Sequence, residues 1–126
     1  MFEQLTLVGN LGADPEMRYT PAGTPVTNFS VAANARWTNS EGEPQERVTW
    51  YRVACWGRLA EVTNQYLAKG RKVMVIASRL EAEAYLDREG NPRAALKVTA
   101  DAVKFLDGNG SNQQAAPDAP GEDIPF

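Results

Sequence analysis

An all-β fold is what this sequence predicts: five strands closed into a small barrel, one short helix between the third and fourth strands, and a disordered C-terminal tail. Three observations point to it. Most of the chain alternates apolar and polar residues with a period of two, one segment alone switches to helical spacing, and Gly, Pro, Asn and Asp cluster between the segments.

The elements follow in order. Leu5 to Val8 is an apolar run stopped by Gly9 and Gly12. Asp14 to Gly23, with Pro15, Pro21 and Gly23, reads as a turn-rich connection. Val26 to Trp37 is a long strand, Thr38 to Glu46 a polar loop too long for a tight turn, and Val48 to Trp56 the next strand. Leu59, Val62, Tyr66 and Leu67 then fall at helical spacing, with Gly70 where a C-terminal cap would sit, giving a helix of about three turns. Val73 to Tyr85 returns to strand, Asp87 to Asn91 is a hairpin turn, and Ala94 to Leu106 is the last strand. The order β-β-β-α-β-β is that of a five-stranded barrel of the oligonucleotide-binding type, the OB-fold.

A chain of 126 residues holds one domain with its own core. All 13 Lys and Arg lie within residues 1–107, whereas three of the 16 acids, Asp118, Glu122 and Asp123, lie beyond it. The predicted domain, residues 1–107, is therefore neutral, and the net charge of −3 belongs to the tail. That balance neither excludes an anionic ligand nor supplies the basic excess common in nucleic-acid binders. One cysteine, Cys55, forbids an internal disulfide and fits a reducing compartment. With no His, a Cys/His zinc site and a Ser-His-Asp triad are excluded, and no metal or other cofactor is expected. The carboxylates Asp14, Glu16, Glu61 and Asp101 are scattered over separate elements, so no metal-dependent nuclease site assembles and no enzyme is expected. Without a membrane-length apolar run or a signal pattern at the N-terminus, the expectation is a soluble intracellular protein with no membrane partner.

The segment Val48 to Trp56 carries the most chemistry. Alternation puts Val48, Trp50, Arg52, Ala54 and Trp56 on one side and Thr49, Tyr51, Val53 and Cys55 on the other. If the second set is the core, two indoles flank a guanidinium in solvent, a pattern suited to base stacking and phosphate contact together. If the first set is the core, Tyr51 is exposed instead; composition leaves both readings open. Trp37 alternates with Phe29, Val31, Ala33 and Ala35 and should face inward unless a bulge turns it out. Tyr85 shares its parity with Arg79, Glu81 and Glu83, a solvated face. The run Lys69, Arg71, Lys72 reads as charge complementing the helix C-terminus.

Residues 108–120, almost all Gly, Asn, Ser, Gln, Ala, Pro and Asp, read as a flexible linker. It leads to an acidic, apolar tip at 121–126, Gly-Glu-Asp-Ile-Pro-Phe. Such a tip is either a frayed terminus or bait for partner proteins, with Asp123, Ile124, Pro125 and Phe126 as the contacting residues.

Three separated stretches resemble the bacterial single-stranded DNA-binding proteins: LVGNLGADPEMRYTPAGTPVTNFSVA (Leu7 to Ala32), VTWYRVACWGRLAEVTNQYLAKGRKVMV (Val48 to Val75) and the GEDIPF ending. The resemblance implies a homotetramer of OB-fold barrels, cytoplasmic and nucleoid-associated, that wraps single-stranded DNA. It also implies an acidic tip that recruits replication, recombination and repair proteins. Carried over residue by residue, the family's stacking positions fall on Trp37, Trp50, Trp56 and Tyr85, with Arg52 as a phosphate contact and Tyr51 at a subunit-contact position. Trp50 and Trp56 are then expected outside, and Trp37 as well. Two departures stand out: Glu81 and Glu83 where the fourth strand is commonly basic, and Gln4 where Lys is common. They predict weaker or less fully wrapped binding than is usual in the family. An accessory OB-fold protein that binds RNA, or acts mainly as an interaction scaffold, is the alternative.

Overall fold

The computed structural model describes residues 1–106. The linker at 108–120 and the tip with Asp123, Ile124, Pro125 and Phe126 lie outside the described residues. The elements are β1 (Leu5–Leu11), β2 (Glu16–Tyr19), β3 (Pro25–Thr38), β4 (Pro44–Trp56), α1 (Arg58–Tyr66), β5 (Lys72–Leu86) and β6 (Pro92–Phe105). The sheet runs β1-β5-β6-β4-β3, and β1 returns to β3 through the pairs Asn10↔Ala32 and Leu11↔Val31. That pairing closes a five-stranded barrel with the helix between its third and fourth long strands. Neighbours are antiparallel except β4 and β6, which run parallel over Tyr51–Ala54 and Leu96–Thr99.

The core is filled from every wall: Leu7 and Leu11 of β1, Phe29 and Val31 of β3, Val53 and Cys55 of β4, Val73 and Val75 of β5, Val98 and Ala100 of β6. Ala60 of α1 and Leu67 just after it join this cluster. The buried Thr27 hydroxyl donates to the Ala60 carbonyl at 2.6 Å, tying helix to barrel without an unmet polar group.

Several details depart from the sequence-based expectation. The connection from Asp14 to Gly23 contains a strand, β2, paired with the start of β3 from Glu16↔Asn28 to Tyr19↔Pro25. Pro15 and Pro21 flank those four residues rather than interrupt them, so their backbone is free to pair. The loop expected at Thr38 to Glu46 shrinks to Asn39–Glu43, because the Asn39 Oδ1 accepts the backbone N–H groups of Glu41 and Glu43, each at 2.9 Å. Pairing of β3 with β4 then continues without a slip from Val26↔Trp56 to Thr38↔Pro44. Gly70 does not cap the helix. The chain turns extended at Leu67, and Gly70, with φ 88°, belongs to a following turn in which its N–H donates to Leu11 O. The basic run is likewise not a helix-end feature, since the last turn of α1 holds no basic residue. Arg71 and Lys72 instead line a shallow groove with Tyr66, Leu67 and Phe105.

Two features aim the outer face. The β3–β4 and β5–β6 hairpins outrun the barrel, so their distal residues lose the core that would cover them. In addition, the β5–β6 register shifts twice, between Ile76 and Ala77 and between Ala77 and Arg79. Before the irregularity the odd residues Val73, Val75 and Ala77 point inward and are buried. After it Leu80 pairs with Val98 and Glu81 with Lys97, so the odd residues Glu81, Glu83 and Tyr85 point outward.

Candidate nucleic-acid interface

β4 presents Trp50, Arg52 and Trp56 outward, while Val53 and Cys55 are buried between them. Trp50 and Trp56 are 54% and 49% exposed, so about half of each tryptophan surface is left without a protein partner. Tyr51, on the other side, is half-buried and packs against the core of its own barrel. The second alternation reading, with Trp50 and Trp56 inside, therefore does not hold.

Trp50 rests on a glycine. A Cβ on Gly12 would lie 2.6 Å from Trp50 Cζ3 and 2.8 Å from Cη2, so the six-membered ring occupies the space a side chain would take. Gly12 is itself held by its N–H, which donates to Ser30 O at 3.1 Å. The expected result of Gly12→Ala is a displaced indole on an intact barrel: altered tryptophan emission, with the melting temperature within a few degrees of wild type. Unchanged emission would show that the ring does not depend on that contact.

Register extends the face across the sheet. Arg18 of β2, Val26 of β3 and Trp56 of β4 form one cross-strand row. Ser30, Arg52, Lys97 and Glu81 form another, across β3, β4, β6 and β5. Tyr85 lies beside this second row, with the Arg52 guanidinium 5.5 Å from its ring centre, a cation–π distance. Lys97 Nζ is 2.7 Å from Glu83 Oε1. The Glu83 carboxyl is held below its ordinary range, first by the hydrogen bond and charge of Lys97 and with a smaller contribution from Arg52.

Trp37 is exposed, although alternation groups it with the inward-facing residues of β3. Its side is as alternation placed it, continuous with Phe29 and Val31, and no bulge intervenes. The strand has simply left the barrel, so the inward-facing side has nothing to face: Trp37 is 46% exposed and Ala35 is exposed too. Trp37 therefore sits on the reverse of the hairpin from Trp50, Arg52 and Trp56. Its ring is covered by a cation of its own, with the Arg47 guanidinium 5.6 Å from its centre. The structure thus brings Trp50, Arg52, Trp56 and Tyr85 to one face and leaves Trp37 on another.

Sequence reading missed Arg18, because its strand was read as a connection, and Gly12, whose role is visible only in the fold. Lys97 was open to detection, since alternation with Leu96 and Val98 puts it outward. No reactive group was overlooked in Cys55. Burial pushes its thiol up to about 11, against a smaller opposing effect from its hydrogen bond with Thr63, so it stays protonated. Among the described residues no group of three or more His, Cys, Asp or Glu could hold a metal ion, and no helix is long and apolar enough to cross a membrane.

Residues 2–106 match the profile of the Single-strand binding protein family. The "Single-stranded DNA-binding protein" of Neisseria meningitidis serogroup A is 38% identical over 114 residues, 90% of this chain and 65% of the relative. That of Wolinella succinogenes is 38% identical over 113 residues, 90% of this chain and 69% of the relative. The chain thus spans 65% of the length of the Neisseria protein. Among solved structures, "Plasmodium falciparum SSB complex with ssDNA" superposes with a TM-score of 0.72, covering 85% of this chain and 97% of that chain at 24% identity, a likeness of fold.

Proposed function

The chain belongs to the single-strand binding protein family, and we propose that it binds single-stranded DNA on the outer face of β4 and the adjoining arms, without regard to base sequence. The observation that carries this reading is the row Trp50, Arg52, Trp56 on one exposed strand face, which the buried residues between them hold in place. Bases stack on Trp50, Trp56 and Tyr85, and on Trp37 where the strand reaches the reverse of the hairpin. Arg52, Arg18 and Lys97 lie where they can meet phosphates. Every base has a π-face, so stacking tolerates any sequence. The chain acts as a binder rather than an enzyme, protecting single strands during replication, recombination and repair in the cytoplasm, associated with the nucleoid. It works as a homotetramer, and its tip, through Asp123, Ile124, Pro125 and Phe126, docks the proteins that process the strand.

Titration of the full chain with poly-dT, followed by quenching of tryptophan emission, tests the binding. Saturable quenching that poly-rU displaces only weakly is the expected result. Equal displacement by poly-rU would favour an RNA-binding role, and no quenching would remove the nucleic-acid reading altogether. Removing Phe126 is expected to abolish partner capture and leave poly-dT affinity intact or raised.

A further inference from the structure

Two cations at the centre of the outer face, Arg52 and Lys97, are already engaged within the protein. The Lys97–Glu83 pair, at 2.7 Å, is the shortest ion pair among the described residues. Arg52, the cross-strand partner of Lys97, lies against the Tyr85 ring and contributes to the low pKa of the same carboxyl. The irregularity in β5 is what aims Glu83 and Tyr85 at this pair rather than into the barrel. Both side chains of the ion pair remain solvated, at 44% and 54% exposure. A solvated pair of this kind is weak and readily exchanged.

A carboxylate and a phosphodiester offer the same thing to two cations: one negative charge and two acceptor oxygens. We propose that Arg52 and Lys97 form one phosphodiester subsite and that Glu83 is its built-in counter-anion, which an arriving backbone phosphate must displace. The inference rests on the DNA-binding reading above and specifies one contact within it. Tyr85, with Arg52 on one side of its ring and 40% of its surface exposed, sets a base platform beside the subsite. Glu83 thereby lowers the affinity and the salt sensitivity of this contact, because phosphate binding exchanges one anion for another and leaves the released carboxylate beside the strand. Glu81 is the natural control. It carries the same charge on the same face and pairs in register with Lys97, yet forms no ion pair.

The test is poly-dT titration of the full chain at several salt concentrations, for wild type, Glu83→Gln, Glu81→Gln, Lys97→Gln and the Glu83→Gln/Lys97→Gln double variant. Glu83→Gln is expected to bind roughly three- to fivefold more tightly at moderate salt. Its log–log salt slope should steepen by up to about 0.7, the value of one recovered single-strand phosphate contact. Glu81→Gln should gain clearly less, and on the Lys97→Gln background the gain from Glu83→Gln should shrink. Wild-type binding with no gain from Glu83→Gln, a gain matched by Glu81→Gln, or one undiminished without Lys97 overturns the subsite and leaves the DNA-binding reading standing. Absence of wild-type binding removes the DNA-binding reading itself. Thermal melts of each variant confirm an unchanged fold.

Discussion

Replacing Gly9 with alanine is expected to destabilise the domain by about 3 kcal/mol or more, at the top of the range for overpacking. For a domain of this size that corresponds to a fall in melting temperature of roughly 12–20 °C. Gly9 lies on β1 opposite Val73 of β5, immediately before Asn10 and Leu11, the residues through which β1 closes the barrel on β3. A Cβ there would fall on the Ala32 carbonyl oxygen of β3, 2.8 Å from its carbon and 2.7 Å from Val31 Cγ1. A flexible side chain could move aside, but a paired backbone carbonyl cannot, so the added methyl must pry β1 from β3 at the closure itself. Urea or thermal denaturation followed by circular dichroism measures the loss. A midpoint within a degree or two of wild type would mean that the barrel does not close as tightly as these contacts require. The contrast with Gly12→Ala is informative, because there the obstacle is an indole on the surface.

Trp50→Ala is expected to weaken poly-dT binding by roughly 5- to 150-fold. This range follows from the 1–3 kcal/mol per base found for stacking platforms in single-strand binders generally. Trp56→Ala should act similarly, and Trp50→Phe should retain much of the affinity because a π-face survives. Neither truncation should cost much stability, since about half of each indole surface is already in solvent. Anisotropy of a dye-labelled oligo-dT avoids relying on the fluorescence of the residues removed. Affinity unchanged in both alanine variants would end the stacking role. A melting temperature that fell in step with affinity would instead recast the indoles as packing groups.

The sequence carried much of this architecture in plain view. Strand positions, the single helix and the Asp87–Asn91 turn follow from period and punctuation, and Val53 and Cys55 are apolar enough to identify the inward side of β4 once the family is known. What could not be read depends on where strands end relative to the barrel. Trp37 has the parity of a core residue, and only the overhang of the β3–β4 hairpin exposes it. Tyr85 looked consistent with its solvated neighbours, but nothing local signalled that β5 changes phase between Ala77 and Arg79. Without that shift, the parity of Val73 and Val75 would carry Tyr85 inward. Gly12 was legible only as a turn residue, because its contact with Trp50 joins positions far apart in the chain.

The reverse placement of Trp37 sets a length scale for the ligand. Trp50 pairs with Ala32, and Trp37 lies five residues further along the same strand, about 17 Å at ordinary strand rise. A bound strand touching both rings cannot lie flat along the hairpin; it must follow the ribbon's twist around its edge. On the proposed binding surface, very short oligonucleotides would therefore meet either the Trp50 side or the Trp37 side, and only longer ones would join the two. In that binding mode the overhanging arm would act as a ruler as well as a contact surface.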